Sequence, residues 1–145
     1  MLVDRKFCTF YLDGLFFGIE VHKVQEVLRH QQTTPVPLAG TVVAGLINLR
    51  GQIVTAIDLR RRLGLPERSA DRLPMNVVVR TDESVVSLLV DEIGDVVEVE
   101  EEAFESVPDT LTGESRQLVH GVYKLKDKLL LVLNTTLALE SKAVA

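Results

Sequence analysis

The strongest constraint on the fold is an internal repeat, because two halves of the chain carry the same residue pattern in the same order. A shift of 69 residues aligns the first part of the two halves, and a shift of 76 residues aligns the remainder. The aligned pairs include Asp13 with Asp82, Phe17 with Val86, Val21 with Val90, Val24 with Ile93, Val27 with Val96, Gly45 with Gly121, Ile57 with Leu133 and Asp58 with Asn134. Repetition of this kind indicates two copies of one supersecondary unit.

Each copy has the pattern of two strands, a short helical turn, a hairpin and a second short helical turn. Five short strands in about 60–70 residues suit a small closed β-barrel, because closure leaves no unpaired strand edge. Two such barrels side by side share a seam. The repeat therefore predicts a mainly β fold of two lobes, with lobe 1 at about 13–65 and lobe 2 at about 76–140.

Turn residues and apolar alternation place most of the individual elements. Strands are predicted at Lys6–Leu12, Leu15–Glu20, Asn76–Thr81, Ser84–Val90, Val119–Leu125 and Lys128–Asn134, and short helical turns at Leu59–Leu63, Glu100–Phe104 and Thr135–Leu139. Asp91–Val97 is predicted to be an irregular or helical turn, and Ser106–Gln117 a loop. The polar stretch Gly64–Pro74, which carries two prolines, is the clearest linker.

A stripe of valines follows the first two strands. Val21, Val24 and Val27 recur at a spacing of three, with charged residues between them, which predicts a short amphipathic helix. Two interpretations of the stripe stay open. It packs into the core, which is the usual fate of an apolar stripe, or part of it lines a groove for a partner helix.

The central hairpin spans Ala44–Leu59 and turns at Asn48–Leu49–Arg50–Gly51. Asn and Gly at the ends of this tetrapeptide favour a type I turn followed by a left-handed Gly51, which closes a hairpin with a bulge. Leu49 and Arg50 are then expected at the tip. The tip is either only a well-formed turn, with Leu49 tucked back and Arg50 in water, or a surface that meets another protein.

The strand after this turn is apolar on both faces. Ile53, Ile57 and Leu59 share one face, while Val54 and Ala56 share the other. A strand with one wet face alternates apolar with polar residues. This strand is therefore expected to be covered on both sides, by its own lobe and by the neighbouring one.

Charge and composition argue against nucleic acid and membrane partners. The net charge of −5 disfavours a phosphate backbone, and the one basic cluster, Arg60–Arg61–Arg62, is interpreted as the solvated end of a short helix. The longest apolar run, Leu129–Leu133, is far below the roughly 20 residues that span a bilayer. The N-terminus has no secretory apolar region, so the expectation is a soluble cytoplasmic protein.

Residues for catalysis, cofactor binding or metal binding are not found in the sequence. Cys8 is the single cysteine, so no intramolecular disulfide or cysteine zinc site is expected. His22, His30 and His120 show no metal-ligand spacing. No glycine-rich phosphate loop, nucleophile elbow or converging set of nucleophile and base is present, so the sequence does not predict an enzyme, a cofactor or a metal.

Five segments of the chain resemble the CheW family of bacterial chemotaxis coupling proteins. They are FGIEVHKVQEVLR (Phe17–Arg29), TPVP (Thr34–Pro37), GLINLRGQIVTAIDLRRRLG (Gly45–Gly64), LLVDEIGDV (Leu88–Val96) and GVYKLKDKLLLVLN (Gly121–Asn134). Their order and spacing cover about residues 6–140. The resemblance implies a single domain of two intertwined five-stranded SH3-like β-barrels with short helices and a hydrophobic groove between them. The N-terminal strand 6–12 joins the second barrel in such proteins.

The resemblance also implies a function. The family is not enzymatic. It binds the regulatory domain of the CheA histidine kinase and the cytoplasmic hairpin tip of chemoreceptors, and it couples the two in chemotaxis signal transduction. The protein is then cytoplasmic, without membrane insertion, and is recruited to membrane-associated receptor arrays.

Matching positions carry the family's receptor-binding groove onto this chain. The groove residues implied by the resemblance are Val21, Val24, Glu26, Val27, Arg50, Cys8, Ile93 and Val96. Asn48 and Gly51 hold the turn, and Arg50 is expected near the receptor contact. The kinase contact is expected on strand edges and loop ends of both barrels, without named residues.

Two other functions remain as alternatives. One is a coupler in a paralogous pathway, for pilus motility or surface sensing. The other is a free-standing small-barrel module for a ligand or single-stranded nucleic acid, which the acidic charge and the lack of stacking aromatics disfavour.

Overall fold

The computed structural model describes residues 5–82 and 84–139. The strands are β1 (Arg5–Leu12), β2 (Leu15–Glu20), β3 (Val24–Leu28), β4 (Val43–Leu49), β5 (Gln52–Asp58), β6 (Met75–Arg80), β7 (Val85–Val90), β8 (Glu92–Val99), β9 (Phe104–Glu105), β10 (Val119–Lys124) and β11 (Leu129–Leu133). The helices are α1 (Leu59–Arg62), α2 (Gly113–Leu118) and α3 (Thr135–Ala138), with 3₁₀ helices at Val21–Lys23 and Glu101–Ala103. The mainly β class is confirmed.

The strands form two sheets, and each sheet takes strands from both halves of the chain. The first sheet has the order β8-β1-β2-β11-β10-β9, and the second has the order β3-β6-β7-β5-β4. The first two strands of one repeat therefore lie beside the last strands of the other repeat. The two lobes are intertwined, with a parallel pair, β11 with β2 and β5 with β7, in the middle of each sheet.

The strand register confirms the internal repeat residue by residue. In the first sheet Leu131 pairs with Phe17, and in the second sheet Thr55 pairs with Val86. These pairs are related by the same two shifts, 76 and 69 residues, that align the sequence. The antiparallel partners follow suit, since Phe10 pairs with Ile93 and Val79 pairs with Val24.

The lobes do not follow the predicted boundaries of 13–65 and 76–140. Strands β6 and β7 belong to the sheet of the first-half strands β3, β4 and β5, while β2 belongs to the sheet of β8–β11. Strand β1 also lies in the sheet of β8–β11, as the resemblance implies for strand 6–12. The sheets are also open rather than closed barrels. In the second sheet Thr34, in the loop after β3, forms a bridge with Leu46 of β4, and Arg50 at the end of β4 contacts Glu26 of β3.

Three clusters of buried apolar side chains make up the core of the part of the chain that the structure describes. The largest lies between the two sheets and draws on both, with Phe10, Phe17 and Leu131 from the first sheet and Ile57 and Leu88 from the second. A second cluster lies on the first sheet around Phe7 and Tyr123. A third lies on the second sheet around Ile47 and Val78. The shared cluster is the predicted seam.

Two of the predicted helical segments are strands. The chain has only a 3₁₀ helix at Val21–Lys23, and Val24–Leu28 forms β3, paired with β6. Asp91–Val97 lies mostly in β8, which pairs with β1. β-branched residues are mediocre helix formers and fit a pleated edge strand, and both segments are rich in valine. The predicted loop Ser106–Gln117 ends in α2, which was not expected.

A buried ionic cluster centred on Asp91 fixes the passage from β7 to β8. The Asp91 carboxylate accepts hydrogen bonds from Arg60 Nε at 2.8 Å, from Arg68 Nε at 2.9 Å and from the Asp13 backbone N–H at 2.8 Å. Arg60 also donates to the Pro66 carbonyl oxygen at 2.8 Å. The cluster therefore joins α1, the linker, the β1–β2 turn and the start of β8.

The structure corrects the interpretation of the Arg60–Arg61–Arg62 cluster as a solvated helix end. Arg60 is buried beside Asp91, and Arg62 donates from Nε to the Ala138 carbonyl oxygen at 3.0 Å, at the end of α3. Arg61 is the exposed member and donates to the Thr41 carbonyl oxygen. The cluster ties α1 to the rest of the fold, which a run of like charges in the sequence does not reveal.

The substitution Asp91→Asn is expected to lower the free energy of unfolding by about 3 kcal/mol, because it removes the carboxylate that pairs with the buried side chains of Arg60 and Arg68 and leaves Arg60 with the partly exposed Asp13 carboxylate, 3.9 Å from its Nη1. Burial alone raises the pKa of Asp91, but the hydrogen bonds from Arg60, Asp13 and Arg68 outweigh it and lower the pKa from 3.8 to about 2. The stabilisation is therefore present above pH 4 and is lost as the pH falls through about 2.

Urea denaturation of the wild type and the variant between pH 7 and pH 2 tests this expectation. The difference between the two proteins should be full at pH 7 and should shrink below pH 4. The matched control is Asp109→Asn, which alters an exposed carboxylate and should leave the unfolding free energy unchanged. A difference that stays constant down to pH 2 contradicts the assignment of the stabilisation to the Asp91 carboxylate.

Candidate functional site

The central hairpin has a tighter turn than the sequence predicts. Leu49 pairs with Gln52, so the loop has only two residues, Arg50 with φ of 51° and Gly51 with φ of 90°. Positive φ at both central residues is the type I′ turn, which matches the twist of the flanking strands. Asn48 closes the turn, since its Oδ1 accepts a hydrogen bond from the Gly51 N–H at 2.8 Å.

This turn type separates the two residues that were expected at the tip. Leu49 is the last residue of β4, is only 6% exposed, and packs with Ile47 and Val54 inside its lobe. Arg50 alone projects from the tip into solvent. Of the two interpretations of the tip, the exposed Leu49 is wrong and the tucked-back Leu49 is correct. A two-residue turn leaves Leu49 in the ladder, two residues after the buried Ile47 and on the same face.

Arg50 makes an ion pair with Glu26 on the edge strand β3. The hydrogen bond from Arg50 is the main cause that lowers the pKa of Glu26, and the same bond raises the pKa of Arg50. Strands β3 and β4 are the two edges of the second sheet, so the pair joins opposite edges of one lobe. It therefore fixes where the hairpin tip lies relative to the valines of β3.

The valine stripe lies on β3 and the turn before it, not on a helix. Val24 and Val27 pair with Val79 and Val77, two residues that face the shared core. Opposed residues of an antiparallel pair share a face. Val24 packs against the shared core, whereas Val27 is 43% exposed. Val21 is 37% exposed on the 3₁₀ helix. The stripe thus runs from the core margin onto the surface.

The predicted groove residues of the other half occupy equivalent positions in the first sheet. Cys8 pairs with Val96, and Phe10 pairs with Ile93. Phe10 lies in the shared core and Ile93 packs against it, so Cys8 and Val96 continue the same face outward. Val96 is 60% exposed, and partial burial raises the pKa of the Cys8 thiol.

The predicted site residues therefore fall into three groups. Arg50 and Glu26 contact each other, and Cys8 and Val96 are cross-strand partners. Val24 and Ile93 lie at the margin of the shared core. In both sheets the face that builds the seam extends beyond the buried core to half-exposed valines, which is the pattern expected of an apolar groove between lobes.

Two exposed apolar residues were missed by the sequence reasoning. Ile53 on β5 is 61% exposed, although it was expected to be covered, and the equivalent residue of the other repeat, Leu129 on β11, is 40% exposed. Both share a face with residues of the seam, Ile57 and Leu131, but lie at the hairpin ends of their strands. The signal that could have found them is their proximity to the turn, where coverage by the other lobe ends.

No group of three or more metal-ligating side chains comes together among residues 5–82 and 84–139. Within the same residues, no helix is long and apolar enough to cross a membrane.

Comparison with known proteins identifies the family. The sequence matches the CheW-like domain over residues 6–143. The chemotaxis protein CheW of Treponema pallidum (strain Nichols) is 30% identical over 138 residues, which cover 92% of this chain and 81% of that protein. The crystal structure of the scaffolding protein TtCheW from Thermoanaerobacter tengcongensis matches with a TM-score of 0.85 at 26% identity, covering 97% of this chain and 96% of that one. Protein PilI of Pseudomonas aeruginosa (strain PAO1) is 27% identical over 114 residues, which cover 79% of this chain and 64% of that protein.

Fold and comparisons together define a non-catalytic scaffold, a two-lobed β protein whose surface serves protein–protein contacts in chemotaxis. The chain belongs to the CheW-like family. The resemblance noted from the sequence is confirmed, as is the expectation of a chemotaxis adaptor rather than an enzyme. The match to PilI is weaker than the match to CheW proteins, so the pilus-pathway alternative is less well supported.

Replacing Asn48 by Ala is expected to lower the free energy of unfolding by about 1 kcal/mol, because the Gly51 N–H loses the acceptor that closes the turn. Chemical denaturation measures the change. Lys124→Ala is the matched control, since Lys124 takes the place of Asn48 in the β10–β11 hairpin and is exposed. Equal effects of the two substitutions would mean that the Asn48 side chain does not stabilise the turn.

Proposed function

We propose that this chain couples a chemoreceptor to a CheA-type histidine kinase by binding the receptor's cytoplasmic hairpin tip and the kinase's regulatory domain. The proposal is supported by membership in the CheW-like family and by the surface beside the seam. Simultaneous binding of both partners recruits the protein from the cytoplasm to membrane-associated receptor arrays.

The receptor binds at the face where the two lobes meet. A helical hairpin tip offers apolar residues at helical spacing, and such a helix binds by laying that stripe into an apolar groove. The apolar members of the proposed groove are Val21, Val24, Val27, Cys8, Ile93 and Val96. Their graded exposure, from packed Ile93 to 60%-exposed Val96, gives a floor and a rim.

The single observation that carries the proposal is the ion pair of Arg50 with Glu26 at the exposed end of this face. Arg50 projects alone from a rigid two-residue turn, because Asn48 and Gly51 fix the backbone on either side of it. Charged groups at an interface rim set register and partner choice more than affinity. Arg50 and Glu26 thus orient the receptor helices over the valines.

A coupler for pilus motility or surface sensing is the second candidate, and the similarity to PilI is the observation that favours it. Capture of partners from cell extract with this protein as bait distinguishes the two. Recovery of a chemoreceptor with a CheA-type kinase supports the first candidate, and recovery of a pilus-associated receptor and kinase supports the second. Recovery of neither a receptor nor a kinase contradicts both.

Arg50→Asp is expected to weaken binding of a receptor cytoplasmic fragment at least tenfold, because it reverses the tip charge and places a second carboxylate beside Glu26. Isothermal titration with the fragment measures the affinity. Asp tolerates the left-handed backbone at this position, so Tm should stay within about 3 °C of the wild type. An unchanged Kd contradicts the role of Arg50 as a receptor contact.

The matched control is Lys126→Asp, which makes the same charge reversal at the equivalent position of the β10–β11 hairpin, also exposed. Its receptor affinity should equal that of the wild type. An equal loss in both variants would indicate a general effect of net charge rather than a contact at the β4–β5 tip.

A further inference from the structure

The two similar halves of the chain exchange strands. The same exchange is possible when the two halves belong to two different copies of the chain. The first repeat comprises residues 5–63 and the second comprises residues 75–139. Four ladders join the repeats, β1 with β8, β2 with β11, β3 with β6 and β5 with β7. The ladders within a repeat among the described residues form only hairpins and the short β9–β10 pair.

Neither repeat can form a sheet of more than three strands by itself. An isolated two-stranded hairpin is marginal in water, and three or more strands with an apolar face are needed for stability. One repeat alone also lacks part of the shared core, because that core lies between the two sheets and contains side chains from both repeats. Each repeat therefore requires the other as its folding partner.

The covalent link between the repeats is the segment Gly64–Pro74. Its first part is held by Arg60, which donates to the Pro66 carbonyl oxygen, and by Arg68, which donates to Asp91. Its second part, Ser69–Leu73, is exposed, and Arg72 attaches it to β8 through an exposed ion pair with Glu92 at 3.8 Å. This exposed stretch can straighten without disturbing either sheet.

We propose that two copies of this chain exchange repeats, giving a dimer in which the first repeat of each copy builds both lobes with the second repeat of the other. The four ladders between repeats and the Arg60–Asp91 pair are reproduced in such a dimer, because each of them joins a first repeat to a second repeat. The ladders within a repeat are unchanged. The ion pairs within one repeat are likewise unchanged. Only the path of Ser69–Leu73 differs. This inference is independent of the proposed receptor contact.

The balance between monomer and dimer follows from the linker. Exchange of identical elements between protomers is a low-cost route to dimers, because no new interface has to be formed. A short flexible linker holds its two ends at an effective concentration of about 1 mM. The monomer is therefore favoured at micromolar protein, and the exchanged dimer forms when unfolded chains refold near or above about 1 mM.

The single cysteine allows the two states to be distinguished with one substitution. Cys8 in the first repeat is the cross-strand partner of Val96 in the second. In Val96→Cys the introduced thiol lies opposite Cys8, at a separation that suits a disulfide. That disulfide is intramolecular in the monomer and joins two chains in the exchanged dimer.

The experiment refolds full-length Val96→Cys from denaturant under reducing conditions at about 10 µM and at about 1 mM, concentrations that lie below and at the effective concentration of the linker. The thiols are then oxidised and the chains are separated on a non-reducing gel. We expect intramolecular disulfide alone at the lower concentration and at least a tenfold larger interchain fraction at the higher one. Light scattering should report a dimer with native circular dichroism.

The parent chain and the variant Cys8→Ser/Val96→Cys each carry one thiol and serve as controls for random pairing. Deletion of Ser69–Leu73 in the Val96→Cys chain should raise the interchain fraction further, because the shortened linker disfavours closure within one chain. Intramolecular disulfide alone at about 1 mM, with both linker lengths, overturns the proposal.

A second pair of cysteines keeps the test valid where Val96→Cys does not fold. Val27 on β3 pairs with Val77 on β6, which is the equivalent position in the other sheet and again joins the two repeats. The variant Cys8→Ser/Val27→Cys/Val77→Cys should show the same dependence on concentration. Absence of interchain disulfide in this variant also overturns the proposal.

Discussion

The interaction on which the architecture depends is the buried pairing of Asp91 with Arg60. Asp91 stands where the chain leaves the second sheet and enters the first, between β7 and β8. Its two carboxylate oxygens accept hydrogen bonds from Nε and Nη2 of Arg60, so the pair is bidentate. A bidentate carboxylate–guanidinium pair fixes direction as well as distance. It therefore fixes the position of the β7–β8 passage relative to α1.

The cost of burying this pair is met by additional hydrogen bonds. Arg68 Nε and the Asp13 N–H satisfy the remaining lone pairs of Asp91, and backbone carbonyl oxygens of the linker accept from Arg60. Buried ion pairs contribute little unless such partners are present. Arg60 is aligned in the repeat with Thr136, and Asp91 with His22, so this ion pair is not repeated at the equivalent positions of the other crossover. The two repeats therefore share their strand pairing, whereas the Asp91–Arg60 ion pair occurs at the β7–β8 crossover and not at its equivalent.

Much of the fold could be predicted from the sequence, and the errors have one main physical cause. The hairpins were predictable because Asp13–Gly14 and Asn48–Gly51 are strong turn signals. The sequence predicts a helix at β3 because the spacing of three between Val24 and Val27 mimics a helical period, and the equivalent Ile93 and Val96 of β8 have the same spacing. The register shifts between Val24 and Glu26, so a bulge adds one residue and places both valines on one face of a strand. Over seven residues, the apolar spacing of a strand that contains one bulge cannot be distinguished from the apolar spacing of a helix.

The candidate site shows the same mixture. The pairing of Arg50 with Glu26 is a long-range contact across two sheet edges, and no local pattern predicts it; both residues were selected through family resemblance. Leu49 was misplaced because the Asn-to-Gly spacing fits a four-residue type I turn as well as a two-residue type I′ turn, and the ladder decides between them. Arg60 was misplaced because a charge run carries no information about a distant Asp91.

The composite sheets also set the mechanical character of the protein. Because each sheet is built from both halves, neither lobe can loosen while the other stays folded, and hydrogen exchange in β2 and β7 should report one common opening event. A scaffold of this kind holds the surfaces on its two lobes at a constant distance and angle. Because strands of each half lie in both sheets, a displacement imposed on one lobe is expected to move the other lobe with it.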